Sequence, residues 1–527
     1  MDLEAINKEI KTNESGMEGK KCRVVLLNPP TAAESSEILL NLAYLSATLK
    51  KVGHEVLVID PNAPYNRLSE SEIEKKILEF KPHFIGVTLT ITYIVQTYEY
   101  FKRLRRLSIP IVAGGPHANC LPEEVLNHGA DIVAIGEGEE TVLEIAEYFL
   151  GRKKLPDVKG VCFRKKDGSA HYTPMRQLIQ NLDIISFADF SAFPSPYYTG
   201  ADDPNASKIF WAIFSSRGCP FNCIFCSSHN VFGRTFRARS ADNVFQEVEE
   251  LAEKYGARYF AFQDDEAFIK KERIIVFCDL VRKSKYELKF SARLRIDSLD
   301  VEMLTHMRNA GFSRLAFGLE SFNDESLVKM NKMYKYKDVV SGFEKLEKAG
   351  YKYIHFNNLI GFPWETPDHL QVCIERITKI PKSIIYFGAV NTLIPFPKTK
   401  LYADYHAQYG FTEWWLDPKR NSKGKSSASD AFFMMFLSMY GPLYYNDIFW
   451  KHSKEMKKAI NNFCWKVSAI QLRRCLGFWE FQVVYNLSKM SHFVWKRSPT
   501  VEKILFYVPK KIVKFLKIDK KASFISY

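Results

Sequence analysis

The sequence predicts an α/β chain: an N-terminal doubly wound parallel sheet of Rossmann-like type, a partial (βα)6 barrel, and a helical C-terminal region. Three observations carry this. Short apolar runs rich in β-branched residues alternate with helical patterns over residues 22–150. Six further runs alternate with helical patterns from about Lys208 to Asn391. Beyond Ser426 the pattern turns aromatic-rich and helical, with no strand signal.

In the first region the strands are Arg23–Asn28, Glu55–Asp60, Phe84–Leu89, Pro110–Gly114 and Asp131–Gly136. Each is too short for a buried helix and ends in a loop signal. Amphipathic stretches such as Ile38–Val52 and Tyr93–Leu107 lie between them. Right-handed crossovers then give a parallel sheet with helices on both faces. Such sheets bind ligands outside the carboxyl ends of their strands. Here those ends carry Asn28-Pro29-Pro30, Thr88-Leu89-Thr90, Gly114-Gly115-Pro116-His117 and Gly136-Glu137-Gly138-Glu139. These small, polar loops either admit a large flat ligand or simply end the strands. Residues 151–205 read as a hairpin and a proline-spaced linker.

The second region, 206–405, offers strands Ile209–Ser215, Tyr259–Phe262, Leu288–Arg293, Arg314–Phe317, Tyr353–Ile360 and Ile384–Asn391. Helical patterns such as Ala241–Tyr255 and Val301–Ala310 separate them. The chemistry of a barrel belongs at the carboxyl ends of its strands. Residues 406–527 form the C-terminal region.

The chain has 527 residues, with 46% hydrophobic and 25% charged residues, a globular balance that excludes a mainly disordered chain. No run of about 18 apolar residues suggests a membrane span. Met1–Lys21 is polar and lacks the apolar core of a secretory leader. Ten cysteines, scattered except for one trio, do not form a disulfide framework, so a reducing cytoplasmic location is expected. The net charge is +14, but Lys451–Tyr527 alone holds 17 Lys and Arg against 4 Asp and Glu. The body is therefore close to neutral, and nucleic-acid binding is not expected.

The strongest signal is Cys219-Pro-Phe-Asn-Cys223-Ile-Phe-Cys226, directly after the first barrel strand. Three thiolates within eight residues suit a soft metal centre, zinc or iron–sulfur. A structural zinc site wants four ligands, and His229 is available as the fourth. A four-iron cluster held by three cysteines instead leaves one iron open for a ligand.

The Cys-x3-Cys-x2-Cys spacing, with Phe225 before the last cysteine, resembles the radical S-adenosylmethionine (SAM) superfamily. The resemblance implies a [4Fe–4S] cluster on Cys219, Cys223 and Cys226, whose open iron chelates SAM. One-electron reduction then cleaves the sulfonium and yields a 5′-deoxyadenosyl radical that abstracts hydrogen. The protein's share of such chemistry is position and shielding. By the same resemblance Asp264 and Asp265 meet the SAM amino group. Arg293 grips its carboxylate with a planar fork. Glu320, in Phe317-Gly318-Leu319-Glu320-Ser321, meets ribose hydroxyls, and Ile360 is a further cofactor-binding residue. Leu359-Ile360-Gly361-Phe362-Pro363-Trp364-Glu365-Thr366 corresponds to the family's Gly-x-Pro-Gly-Glu-Thr turn, with Trp364 in place of glycine.

The front region resembles the cobalamin-binding subgroup, so the resemblance extends over roughly residues 22–405, through Pro395-Phe-Pro397-Lys-Thr399-Lys-Leu401-Tyr402. It implies a corrin ring at the sheet's carboxyl edge, bordered by Asn28, Thr88, Gly114, Gly115, Gly136, Glu137 and Gly138. The Asp-x-His-x-x-Gly pattern that supplies a cobalt-ligating imidazole elsewhere is absent, so cobalamin without a protein histidine ligand is expected. His117 reads as a loop histidine bonded to the backbone and not as a cobalt ligand, and His54 reads as structural.

The resemblance implies a cobalamin-dependent methyltransferase acting on an unactivated carbon of an apolar, lipid-like or tetrapyrrole-like substrate, supplied by a flavodoxin- or ferredoxin-type electron donor. Anaerobic cyclisation or oxidative C–C or C–O bond formation is the alternative within the family. An iron–sulfur or corrinoid redox-sensing module is the alternative outside enzymes. In the tail, the apolar run over 431–445 is either a helix packed on the barrel or a wall for a bulky apolar substrate. The Lys-rich segment Val501–Leu516 is either a terminal helix or a surface for an anionic membrane, each Lys contributing about 1 kcal/mol there. Peripheral contact with the inner membrane face is the resulting expectation.

Overall fold

The computed structural model describes residues 21–31, 38–194, 198, 211–267, 269–417, 449–475, 482 and 486. The chain divides into two compact units. One holds the described residues to Pro220, Cys226–Ala257 and those from Phe396 to Asp417; the other holds Phe221–Phe225, Arg258–Pro395 and those from 449 on.

The first unit is built on β1 (Arg23–Leu27), α1 (Leu40–Lys51), β2 (Glu55–Ile59), α2 (Glu70–Phe80), β3 (Phe84–Thr88), α3 (Ile94–Leu104), β4 (Ile111–Gly114), β5 (Ile132–Ala134) and α4 (Gly138–Phe149). All five predicted strands are present, four of them shorter by one residue and the fifth by three. Local chemistry sets several ends. Ser69 and Glu72 form a capping box at the start of α2, each side chain bonding the other's backbone N–H.

The strand order is β2-β1-β3-β4-β5-β6-β7, where β6 is Val161–Arg164 and β7 is Ala170–Tyr172. Strands β1 to β5 are parallel, whereas β6 and β7 pair antiparallel. The predicted hairpin thus extends the sheet instead of standing apart in a linker. The order 2-1-3-4-5 places the topological switch between β1 and β3, the position that puts a crevice beyond their carboxyl ends. Under the sheet, Val24, Leu26 and Phe84 pack against Leu42 and Leu49 of α1 and Ile145 and Phe149 of α4. The rings of Phe84 and Phe149 stack at 4.9 Å. The same unit contains β8 (Trp211–Ile213), within the predicted Ile209–Ser215, then β9 (Ser216–Arg217), β10 (Arg237–Ala238) and α5 (Ala241–Lys254). Ser240 caps α5 by accepting the Asn243 N–H at 3.1 Å.

The second unit runs β11 (Tyr259–Phe262), α6 (Lys271–Lys283), β12 (Lys289–Leu294), α7 (Val301–Asn309), β13 (Phe312–Glu320), α8 (Tyr336–Lys348), β14 (Tyr353–Ile360), α9 (Pro367–Thr378), β15 (Ile385–Thr392) and α10 (Lys454–Cys475). Strands β11 to β15 are parallel, each hydrogen-bonded to the next in chain order, as the barrel prediction requires. Helix α10 packs on α9 and β15. Its Arg474 donates to the Ile380, Pro381 and Ile384 carbonyls at 2.8–2.9 Å. The apolar run over 431–445 and the basic segment 501–516 lie outside the described residues. No helix among the described residues is long and apolar enough to cross a membrane.

Candidate functional site

A strand alternates its side chains between two faces, so β12, β13 and β14 each present one row to the helices and one away from them. The helix-covered row is marked by Phe356 of β14, 6.3 Å from Phe343 of α8, and by Phe262 of β11, edge-on to Phe277 of α6 at 5.6 Å. The opposite row is small and polar: Ser291 and Arg293 on β12, Ala316 and Gly318 on β13, His355 and Asn357 on β14. Register aligns them, Arg293 beside Ala316, Ala316 beside His355, and Gly318 beside Asn357. Arg293 is exposed and makes no ion pair among the described residues. Burial pushes His355 down to about 4, so its imidazole is neutral at neutral pH.

Ile360 requires a correction. It shares the parity of Ile354 and Phe356 and is buried on the helix-covered face, so its side chain does not present itself on the polar row. Leu359, one residue earlier, occupies that row. Past the end of β11, Asp264 and Glu266 are buried and Asp265 is exposed. Glu365 in the following turn accepts the Gly361 N–H at 2.7 Å, and burial holds its carboxyl up at about 7.

Cys219, Cys223 and Cys226 are half-buried free thiols. Six others (Cys22, Cys120, Cys162, Cys278, Cys373 and Cys464) are buried, and burial raises each thiol pKa, to about 12 for Cys22, Cys278 and Cys464. The trio is thus set apart from the packing cysteines by its exposure. Gly218 enters the loop at φ +81°, and a side chain there would overlap the Thr235 carbonyl oxygen.

Between the cysteines, the backbone is held by residues 330–332. The Ile224 N–H donates to the Met330 carbonyl at 3.1 Å, and the Asn331 amide donates to the Asn222 carbonyl at 2.8 Å. Phe225 meets Phe362 edge-on at 6.1 Å. Among the described residues no three His, Cys, Asp or Glu side chains converge as ligands of a single ion. Three accessible soft sulfurs spread along one fixed loop are the donor set that a multi-iron cluster takes.

Two cations beside this loop escaped the sequence analysis. Arg295 lies 3.6 Å over the Phe221 ring, pairs with both Asp297 oxygens at 3.0 Å, and donates to the Lys332 carbonyl at 2.6 Å. Lys332 is buried, donates to the Gly318 carbonyl at 2.7 Å, and stands 3.7 Å from the Glu320 carboxylate. Glu320 adopts φ +66°, and a Cβ on Gly318 would come within 2.6 Å of its Oε1, so the glycine makes room for this carboxylate. Burial pushes the Glu320 carboxyl up, with Lys332 opposing.

At the switch point of the first unit, the Asn28 amide donates to Asp60 at 2.8 Å and the Asn41 amide to the Thr88 hydroxyl at 2.8 Å. The glycines of this edge divide into two kinds. A Cβ on Gly114 or Gly136 meets nothing within 4 Å among the described residues, leaving open backbone for a flat ligand. Gly115, at φ +94°, would place a Cβ 2.9 Å from the Leu89 carbonyl and the Thr88 hydroxyl, and Gly138 would place one 3.0 Å from Leu45. Those two are glycine because the protein itself crowds them.

Glu137 is the second correction. Its carboxylate accepts from Arg217 at 3.0 Å, from Arg237 at 2.9 Å and from the Ile179 N–H at 2.7 Å, with all three side chains buried. Its carboxylate oxygens are engaged by partners inside the protein. His117 is not a loop residue with its ring bonded to the backbone: it is buried in a short helix, its Nε2 bonded to the side chains of Tyr98 at 3.1 Å and Glu124 at 2.9 Å. Glu124 also accepts from Trp415 at 2.8 Å, and these hydrogen bonds outweigh burial and hold its carboxyl below the usual range. His54 accepts the Cys22 N–H at 3.3 Å, a structural contact as expected.

Comparison with known proteins agrees with both halves of this description. A family model described as the radical SAM superfamily matches residues 213–377, and one described as the B12 binding domain matches residues 32–146. An uncharacterized methyltransferase of Pyrococcus horikoshii is 28% identical over 393 residues, 73% of this chain and 83% of its own. The anaerobic magnesium-protoporphyrin IX monomethyl ester cyclase of Rubrivivax gelatinosus is 28% identical over 325 residues, 59% of this chain but only 57% of the cyclase. In fold, the chain is similar to the radical SAM methyltransferase TsrM of Kitasatospora setae, with a TM-score of 0.63 at 18% identity, covering 74% of this chain and 79% of TsrM.

Proposed function

We propose, for a chain that belongs to the radical SAM superfamily and carries a B12-binding domain, that it is a cobalamin-dependent methyltransferase acting on an unactivated carbon of an apolar substrate. The cofactors of such a chain are a [4Fe–4S] cluster, SAM and cobalamin. When bound, they supply a hydrogen-abstracting radical and a methyl group. The observation that carries the proposal is the pairing, in one chain, of an accessible three-thiol loop with a switch-point edge whose open glycines suit a large flat ligand.

The chain's own residues then take distinct parts. Cys219, Cys223 and Cys226 hold the cluster, with Phe225 shielding the loop. Asp264 and Asp265 face the SAM ammonium, the exposed Arg293 faces its carboxylate, and Glu320 faces the ribose. Asn28, Thr88, Gly114 and Gly136 border the corrin, whereas Gly115, Glu137 and Gly138 build the fold beneath it. We take the domains as residues 22–150, 206–405 and 406–527, with the hairpin β6–β7 of the intervening 151–205 adding to the sheet of the first.

A lipid-like or tetrapyrrole-like substrate agrees with the apolar run over 431–445 and with the relative named as a porphyrin cyclase. The same relative favours oxidative cyclisation as a second reading. Anaerobically reconstituted protein, given reductant, cobalamin, methyl-deuterated SAM and a candidate lipid or tetrapyrrole, separates the two. Methyl transfer yields a product heavier by one labelled methyl group in place of hydrogen. A product that has lost hydrogen and carries no label overturns methyl transfer in favour of cyclisation.

Two further partners follow from chemistry alone. The reaction consumes electrons, which a flavodoxin- or ferredoxin-type donor supplies. The basic tail binds the anionic inner membrane face. The full chain is expected to sediment with anionic liposomes at low salt and to lose this when residues 499–527 are removed. Unchanged sedimentation after that removal contradicts the membrane role.

A further inference from the structure

We propose that Lys332 is a redox-tuning residue: its buried ammonium stabilises the reduced, more negative form of the cluster held by the cysteine loop, with Glu320 as its counter-charge. This rests on the reading that Cys219, Cys223 and Cys226 carry an iron–sulfur cluster, and goes beyond it by assigning the charge that sets the cluster's potential.

Lysine is almost never fully buried unless paired, because removing an ammonium from water is costly. Here the Lys332 side chain is only 6% exposed. Among the described residues, its Nζ donates to the Gly318 carbonyl at 2.7 Å. Its carboxylate neighbour among the described residues, Glu320, stands 3.7 Å away, longer than a hydrogen bond.

The ammonium also lies 6.0 Å from the centre of the Phe225 ring, the residue immediately before Cys226, and 5.5 Å from the Tyr334 ring. Burial alone would lower the Lys332 pKa, but Tyr334 and Glu320 beside it raise it. Arg295 is the other cation at this loop, but both oxygens of Asp297 neutralise it in place. Lys332 is therefore the less compensated charge.

The backbone confirms that this position is fixed. Asn331 and Met333, on either side of Lys332, both adopt left-handed φ values of +56° and +63°. The carbonyl of Lys332 is held by Arg295, and the side chain of Asn331 is tied to the Asn222 carbonyl within the cysteine loop. A charge so placed acts on the cluster through a low-dielectric interior, where charge, hydrogen bonding and solvent exposure are the protein's levers on potential. Reduction adds one negative charge, so a nearby cation raises the midpoint potential and a nearby carboxylate lowers it.

The test compares Lys332→Met, Lys332→Arg and Glu320→Gln with the wild-type chain, all anaerobically reconstituted. Iron and sulfide content are measured first. The midpoint potential is then read by an EPR-monitored redox titration at pH 8 without SAM. The Lys332→Met midpoint is expected to shift negative, Lys332→Arg to stay at the wild-type value, and Glu320→Gln to shift positive. A Lys332→Met protein with full iron content and an unmoved midpoint overturns the proposal. If Lys332→Met does not load iron, the Glu320→Gln midpoint decides: a positive shift supports the assignment, and none overturns it. A wild-type chain that takes up no iron at all sinks the cluster reading itself, which is a separate result.

Discussion

Replacing Cys223 by alanine is expected to remove the iron–sulfur chromophore of the reconstituted protein and to drop its reductive cleavage of SAM to the level of a no-enzyme control. Two thiolates cannot hold a cluster whose third corner is open to solvent, and no other described cysteine is available to substitute. The remaining six with known surroundings are buried, and burial holds their sulfurs protonated. Cys223 is the most informative of the three because it lies in the segment held by Met330, Asn331 and Arg295. Those contacts involve backbone atoms and the Phe221 ring, so the alanine variant keeps them and the loop retains its course. Iron content, the visible spectrum and 5′-deoxyadenosine formation measure the effect. A Cys223→Ala protein that keeps its chromophore contradicts the site.

The second large effect is on stability. Glu137→Ala is expected to destabilise the protein by about 3–5 kcal/mol, the range found when one partner of a buried ion pair is removed. The Glu137 carboxylate is the shared acceptor of Arg217, Arg237 and the Ile179 N–H, and its side chain is 2% exposed. Its loss leaves two guanidinium groups short of their counter-charge in the interior, where unpaired charge is most costly. Arg217 keeps a bond to Glu139, and Arg237 keeps bonds to the Ile179 and Phe232 carbonyls, which sets the effect below complete unfolding.

Glu139→Ala serves as the comparison. Among the described residues Glu139 pairs with Arg217 alone and its Oε2 makes no hydrogen bond, so a smaller loss is expected there. Chemical denaturation under anaerobic conditions measures both. Equal losses at the two positions contradict the shared-acceptor account. Because Arg217 immediately precedes Gly218 and Cys219, the Glu137 variant is also expected to load less iron than the Glu139 variant.

The legible part of this fold was the part fixed by local rules. Strand length, β-branched content and loop signals located β1 to β5 and β11 to β15 within a residue or two in most cases, because each strand is a short apolar run between polar turns. The cysteine spacing was legible for the same reason, since its information is confined to eight residues. What failed depended on facing or on long range. Arg293 and Arg295 differ by two positions, and the sequence offers nothing that says the first lies exposed while the second folds back over Phe221. Ile360 and Leu359 are adjacent, and only the observed register says which one meets the helices. Glu137 sat between two glycines and looked like a ligand loop, but its partners lie 80 and 100 residues further along. Lys332 carried no signal at all: a lysine in a turn reads as solvated until the turn is seen to lie beneath the cysteine loop.

The most direct single measurement is the metal and cofactor content of the full chain, produced with cobalamin available and purified without oxygen. The account predicts iron and acid-labile sulfide in the proportion of one [4Fe–4S] cluster per chain, together with cobalt bound as corrinoid. Zinc in place of iron, or a chain saturated with iron that takes up no corrinoid, would contradict it.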